Sequence, residues 1–219
     1  MSYGIRVEVW GKYALFTRPE MKVERVSYDV MTPSAARGLL EAIYWHPGMK
    51  YAIDRIYVLS PIAFTNIRRN EVKSKISARN VHSVMRTGTG ELYISTATDI
   101  QQRASMVLKD VYYVIEAHFD MTKQASQQDN PGKFKDIILR RLKKGQCYHQ
   151  PYFGCREFPA NFRLGESGHI ETAYPEEDRD LGYMLYDMDY SDTRNIRPMF
   201  FRARLNKGIL DITDCEVHQ

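Results

Sequence analysis

The sequence predicts an α+β chain of ferredoxin-like order followed by a small antiparallel β-sheet region. Three observations predict it. Residues 1–165 read as strand, helix, strand, strand, helix, strand, the split βαβ order. The two helices each show one apolar face between a cap and a breaker. Beyond Glu166 helical spacing disappears and only period-2 alternation remains. The two segments are expected as domains, 1–165 and 166–219.

Ile5-Arg6-Val7-Glu8-Val9-Trp10 alternates apolar with polar or amphipathic side chains, the pattern of a half-buried strand, and Gly11 is expected to end it. Thr32-Pro33 reads as an N-cap with proline at the first helical position. Ala36, Leu39, Leu40, Ile43 and Tyr44 recur on one face of that helix, and Pro47-Gly48 stops it. Tyr51 to Ser60 is the second strand; Pro61 breaks it and Ile62 to Ile67 continues beyond. Residues 68–90 read as a long basic insertion with Arg68, Arg69, Lys73, Lys75, Arg79 and Arg86 against the single acid Glu71. A long connection of that kind points to a functional or mobile segment rather than filler.

Val111 to Phe119 is the clearest later strand, with Tyr113, Ile115, Ala117 and Phe119 on one side and Tyr112, Val114, Glu116 and His118 on the other. Asp129-Asn130-Pro131 opens the second helix. Its apolar face is Phe134, Ile137, Ile138 and Leu142; its exposed face is Lys133, Lys135, Arg140, Arg141, Lys143 and Lys144; Gly145 sits at the C-terminal cap. Tyr152 to Phe162 supplies the last strand of the first domain. In the tail, Gly182 to Tyr190 and Met199 to Leu205 are strand-like, and Asn206-Lys207-Gly208 turns the chain into Ile209 to Ile212.

Charge is unevenly spread. Residues 1–165 hold 25 Lys and Arg against 15 Asp and Glu, while residues 166–219 hold 6 against 12. A basic body with an acidic tail fits a polyanion bound by the first part. Six cations over three turns of the second helix, with the basic stretch before it, can meet phosphates without reading sequence. Among the fifteen tyrosines, those on the sheet offer faces for unpaired bases. Arg68, Arg69, Lys73, Lys75, Lys133, Arg140, Arg141 and Lys144 are therefore the candidate nucleic-acid contacts.

Several classes are excluded. Three cysteines without a C-x-x-C pair give neither a disulfide framework nor a zinc site. None of the six histidines has metal-ligand spacing, and no phosphate loop occurs, so no metal and no cofactor are expected. No apolar run approaches the ~18 residues of a membrane span. The start Met1-Ser2-Tyr3-Gly4-Ile5-Arg6 has no apolar core, so a cytoplasmic protein without a membrane partner is expected.

Several blocks together carry a resemblance. They are Tyr13-Ala14-Leu15-Phe16-Thr17, Ser27-Tyr28-Asp29-Val30, Thr32-Pro33-Ser34-Ala35, Glu41-Ala42-Ile43-Tyr44-Trp45, Asp54-Arg55-Ile56, Val114-Ile115-Glu116-Ala117-His118-Phe119 and Gly154-Cys155-Arg156-Glu157-Phe158. In this order, through residues 3–163, they resemble the CRISPR-associated repeat-processing endoribonucleases of the type I-C (Dvulg subtype) interference complex, members of the RAMP superfamily. The resemblance implies an RRM-related, ferredoxin-like RAMP domain and a small β domain. It implies cleavage of precursor CRISPR RNA at the 3′ side of the repeat hairpin, retention of the 5′ handle, and assembly with the backbone and large subunits of the surveillance complex. It leaves duplex DNA open as a second ligand.

The family's catalytic tyrosine falls on Tyr44 and its histidine on His118. Its lysine is not matched, since Glu116 and Ala117 stand there; Lys50, His46 and Lys123 are the alternatives for that cation. The expected chemistry is metal-independent attack of the ribose 2′-OH on its own 3′ phosphate, leaving a 2′,3′-cyclic phosphate. The rival reading is a non-catalytic subunit that caps the guide handle. A generic RNA-binding protein of RRM type is disfavoured, because no RNP1-like run occurs.

Overall fold

In the computed structural model, residues 4–21 and 23–219 are described. Met1, Ser2, Tyr3 and Lys22 lie outside them, and with them the part of the N-terminal reading that rests on Met1 to Tyr3. The described chain is a mixed α/β structure dominated by one sheet: β1 (Ile5–Ala14), β2 (Arg25–Val26), α1 (Pro33–Ile43), β3 (Met49–Val58), β4 (Phe64–Val72), α2 (Ala78–Thr87), β5 (Ile100–Met121), α3 (Pro131–Lys144), β6 (Asn161–Leu164), β7 (Asp178–Asp189), β8 (Arg197–Asn206), β9 (Ile209–Asp211) and β10 (Val217–His218).

The central strands lie in the order β9-β3-β5-β1-β6, with neighbours antiparallel. Helices α1 and α3 fill the two crossovers, β1 to β3 and β5 to β6. Both cover the face onto which Tyr113, Ile115, Ala117 and Phe119 point; Phe119 meets Phe134 of α3 with ring centroids 6.3 Å apart. These four side chains are all 3% exposed or less, as are Ala36, Leu39, Leu40 and Ile43 of α1. The helix starts follow the local chemistry. Thr32 Oγ1 accepts from the Ala35 N–H at 3.2 Å, and Asn130 Oδ1 accepts from the Lys133 N–H at 2.8 Å, each just before a proline at the helix start. Gly145, at φ 62°, closes α3 in the left-handed conformation.

Three expectations need correction. Strand β1 runs through Gly11 to Ala14. Gly11 is there for close approach, since a Cβ would stand 2.8 Å from the Phe153 ring and 3.0 Å from the Pro159 carbonyl. The strand expected at 152–162 forms only at Asn161–Leu164; before it the chain loops back, joined by a bridge between Tyr152 and Pro159. Residues 68–90 are not a structureless connection. Strand β4 pairs with the first half of β5, from Phe64 opposite Leu108 to Val72 opposite Ile100, and α2 follows with a Ser77 cap and Gly88 in the left-handed region. Neither β4 nor α2 buries a side chain fully, so no hydrophobic period announced α2 or the part of β4 beyond the expected Ile62 to Ile67 strand. Strand β5 is therefore 22 residues long, and Asp110, at φ 52°, marks where it passes from β4 to β3 as partner.

The tail strands are antiparallel, β7 with β8 and β8 with β9 and β10. Strand β9 pairs with β3, so they extend the main sheet. Arg37 of α1 grips Asp187 of β7 at 2.8 and 2.9 Å, tying the tail to the helix layer.

Candidate active site

Tyr44 is the residue after α1. Its backbone has turned extended (φ −151°, ψ 127°), and its N–H still closes the helix on the Leu40 carbonyl. That turn sends the phenol inward, where it is 8% exposed. Its ring lies 6.2 Å from that of Phe134, and the Arg141 guanidinium sits over it at 5.1 Å. Burial raises the phenol pKa, partly offset by the nearby cations of Lys133 and Arg141. Tyr44 thus keeps its proton at neutral pH.

Phe134 is also the floor under His46, whose ring centroid is 4.9 Å away. His46 Nδ1 accepts the Gly48 N–H at 3.0 Å, so the neutral ring carries its proton on Nε2. Asp129 Oδ2 lies 4.0 Å from the same Nδ1. The Asp129 side chain is 3% exposed and receives three donors: the Ser126 N–H and hydroxyl at 2.9 and 2.8 Å, and Lys133 Nζ at 3.1 Å. The Ser126 bonds, with Lys133, hold its pKa down at about 2. A phenol, an imidazole, an ammonium and a carboxylate are therefore gathered where the end of α1 meets the start of α3.

His118 is elsewhere. Phe119 points to the helices, so its neighbour points to the opposite face, and the sheet stands between His118 and Tyr44. There His118 Nδ1 meets Asp54 Oδ1 at 2.7 Å, and Nε2 lies 3.9 Å from Asp120 Oδ2. A β-bulge between Ile53 and Arg55 turns Asp54 toward the imidazole. Glu116, on the same face, is taken up by Arg6 at 2.6 Å and the Tyr57 hydroxyl at 2.9 Å. Of the three alternatives for the cation, Lys50 is on β3 opposite Asp120 and Lys123 is exposed in the turn after β5. Of the three, His46 is the one that shares a packing partner with Tyr44, the ring of Phe134.

The candidate nucleic-acid contacts divide by exposure. Arg68, Lys73, Lys75, Arg140 and Lys144 are exposed. Arg69 is turned inward, paired with Glu157 and bonded to Ser105 Oγ at 2.9 Å. Arg141 is turned inward too, donating to the Ile43 carbonyl. Lys133 belongs to the cluster around Tyr44. Sequence reasoning missed Asp129 as a site residue, although it stands four residues before Lys133 at the spacing of a helical ion pair.

Cys147, Cys155 and Cys215 are free thiols, each half-buried. Among the described residues no three His, Cys, Asp or Glu side chains form a ligand set for a metal, and no helix is long and apolar enough to cross a membrane.

Residues 4–213 match the family described as Cas_Cas5d, CRISPR-associated protein (Cas_Cas5). The CRISPR pre-crRNA endoribonuclease Cas5d of Mannheimia succiniciproducens is 50% identical over 217 residues, which cover 97% of this chain and 96% of that protein. The protein of the same name from Thermus thermophilus is 40% identical over 228 residues, covering 95% and 90%. A solved structure described as that of a CRISPR-associated protein superposes with a TM-score of 0.72 at 22% identity, covering 100% of this chain and 97% of its own.

Proposed function

The chain belongs to the Cas_Cas5d family of CRISPR-associated proteins, and from that membership we propose that it is a pre-crRNA endoribonuclease that cuts the repeat through the ribose 2′-OH without a metal ion. The observation that carries the reading is the meeting of Tyr44, His46 and Lys133 around Phe134. Attack of a 2′-OH on its 3′ phosphate needs the hydroxyl deprotonated, charge stabilised on the phosphorane, and the leaving 5′ oxygen protonated. Lys133, steadied by Asp129, supplies the charge. Tyr44 donates a hydrogen bond to a phosphate oxygen. The 2′ proton passes to water, and His46, protonated on both nitrogens with Nδ1–H turned from Gly48 toward Asp129, gives its Nε2 proton to the leaving 5′ oxygen. The product is a 2′,3′-cyclic phosphate.

In this reading the β6-β1-β5-β3 core is a ferredoxin-like, RRM-related RAMP domain over residues 1–165. The β4-α2 arm is its long basic insertion, and residues 166–219 are the C-terminal β domain. The exposed cations Arg68, Lys73, Lys75, Arg140 and Lys144 hold phosphates of the repeat hairpin. The protein acts in the cytoplasm and keeps the 5′ handle, joining the backbone and large subunits of a type I-C surveillance complex.

A second reading places proton transfer at His118. Its hydrogen bond to Asp54 favours it, because a carboxylate on Nδ1 leaves Nε2 as an oriented base. It would need a partner other than Tyr44.

The experiment is cleavage of the cognate repeat RNA by the purified chain with EDTA present, followed by 3′-end analysis. Cutting in chelator, a cyclic phosphate end, and no cutting of an RNA with 2′-deoxyribose at the scissile nucleotide are expected. Cleavage of the deoxy substrate, or complete loss in EDTA, overturns the mechanism. No cleavage of any repeat RNA overturns the enzyme and leaves the handle-capping role.

A further inference from the structure

Next to the Tyr44 cluster lies a surface that the proposed chemistry does not use. Trp45, Tyr148 and Tyr152 are 59%, 73% and 38% exposed, and they line one cavity of about 670 Å³. Their exposure does not come from a loose chain. The Tyr148 and His149 N–H groups both donate to the Ala42 carbonyl at 3.0 Å, and the Tyr148 N–H also reaches the Ile43 carbonyl at 3.3 Å. These bonds satisfy carbonyls that the last turn of α1 leaves open, so the backbone is pinned while the rings face solvent. The other tryptophan shows the contrast. Trp10 packs on Tyr112 with centroids 5.9 Å apart and lies under the Arg163 guanidinium at 5.6 Å.

The surroundings select the occupant. Arg156 and His149 line the cavity; Glu41 lines it too, but its carboxylate is held by Arg37 at 2.7 Å. Planar faces beside a guanidinium suit a nucleobase and its phosphate. Position agrees. The extended backbone at Tyr44 sends that phenol in and the next side chain out. Trp45 is thus the outward-facing chain neighbour of the phenol proposed to meet the scissile phosphate.

We propose that Trp45, with Tyr148 and Tyr152, is a stacking subsite for an unpaired nucleobase flanking the scissile phosphate of the repeat RNA. The subsite rests on the endoribonuclease reading above, and its test separates the two. The chain has two tryptophans, so Trp10→Phe leaves Trp45 as the sole indole emitter. The ligand is repeat RNA made uncleavable by 2′-deoxyribose at the cut.

Binding should quench Trp45 emission, and an abasic nucleotide beside the scissile phosphate should remove the quench. Trp45→Ala should weaken binding roughly 5- to 150-fold, the range expected for one stacked base, with no further loss on the abasic RNA. Trp45→Phe should recover most of the affinity. If Trp10→Phe does not fold, the difference in emission between wild type and Trp45→Phe gives the same readout.

Tight binding without quenching, or an unchanged Kd in Trp45→Ala, overturns the subsite while cleavage of ordinary repeat RNA by wild type leaves the enzyme standing. A Trp45→Ala chain that binds RNA normally but no longer assembles with its complex subunits assigns the surface to a protein instead. If wild type neither binds nor cuts repeat RNA, both readings fall.

Discussion

Lys133 Nζ lies 3.1 Å from Asp129 Oδ1, one helical turn before it, and the same carboxylate is held at a pKa of about 2 by Ser126 and Lys133. A carboxylate whose pKa is lower folded than unfolded stabilises the fold above the unfolded value, ~3.9 for aspartate, and loses that contribution as pH falls through the folded value. Asp129 should therefore contribute fully above about pH 4 and progressively less toward about pH 2. The Tm gap between wild type and Asp129→Asn should be level near neutrality and close as pH falls through this window. A gap that widens toward acid would mean the carboxylate is not stabilised by these donors.

Tyr44, His46 and Lys133 should fail together in cleavage and His118 should not. A positioned acid or base is worth ~10²–10⁴-fold, so His46→Ala should slow single-turnover cutting of repeat RNA by that order while hairpin affinity changes only a few-fold. Tyr44→Phe and Lys133→Ala should also slow it. His118→Ala should cut at close to the wild-type rate. The reverse pattern, with His118→Ala dead and His46→Ala active, moves the chemistry to the Asp54–His118 pair.

The tail is fastened to α1 by the two-point contact of Arg37 and Asp187, whose side chains are 23% and 19% exposed. Partial burial and double hydrogen bonding raise such a pair above an ordinary surface ion pair. Asp187→Asn should cost about 2 kcal/mol, read as a lower urea midpoint with an unchanged m value. A loss under roughly 0.5 kcal/mol would place the pair with solvent-screened surface bridges.

Gly154 and Gly88 both have positive φ, 79° and 65°, but only one is crowded. A Cβ at Gly154 would stand 1.9 Å from the Leu15 carbonyl oxygen, on backbone that Leu15 N–H and Phe153 C=O join at 3.0 Å; at Gly88 nothing lies within 4 Å. Gly154→Ala adds a steric clash to conformational strain and should cost about 3 kcal/mol or more, against about 1 for Gly88→Ala. Equal losses in thermal or urea unfolding would show that the 151–160 loop shifts freely to make room.

The legible elements were those whose signals are local. Helix α1 announced itself because Thr32, Pro33 and the spacing of Ala36, Leu39, Leu40 and Ile43 are read within a single short window, and α3 likewise through Asn130, Pro131 and Gly145. The part of β4 beyond Ile67 and the whole of α2 did not, because they bury no side chain fully and are held by backbone pairing and caps. The site was half legible. Tyr44 was read as catalytic and Lys133 as a phosphate contact, but their meeting depends on how α1 packs beside α3, far apart in the chain. Alternation along β5 put His118 and Phe119 on opposite faces, but which face the helices cover is a property of packing, so the separation of His118 from Tyr44 was not readable in the sequence.

The same distinction between charge and available charge governs binding. Lys73 and Lys75 are exposed beyond the end of β4, whereas the Arg69 side chain is 19% exposed and spent on Glu157 and Ser105. Each phosphate contact releases condensed counterion, so removing one flattens the plot of log affinity against log salt by about 1. If the β4-α2 arm meets RNA, Lys73→Ala and Lys75→Ala should each lower the slope for repeat RNA by that amount and leave Tm unchanged. Arg69→Ala should do the opposite, lowering Tm by leaving the buried Ser105 hydroxyl without its donor while the slope stays put. A slope that falls as far in Arg69→Ala as in Lys75→Ala would mean that Arg69 swings out to the RNA and that its inward pairing is a resting state only.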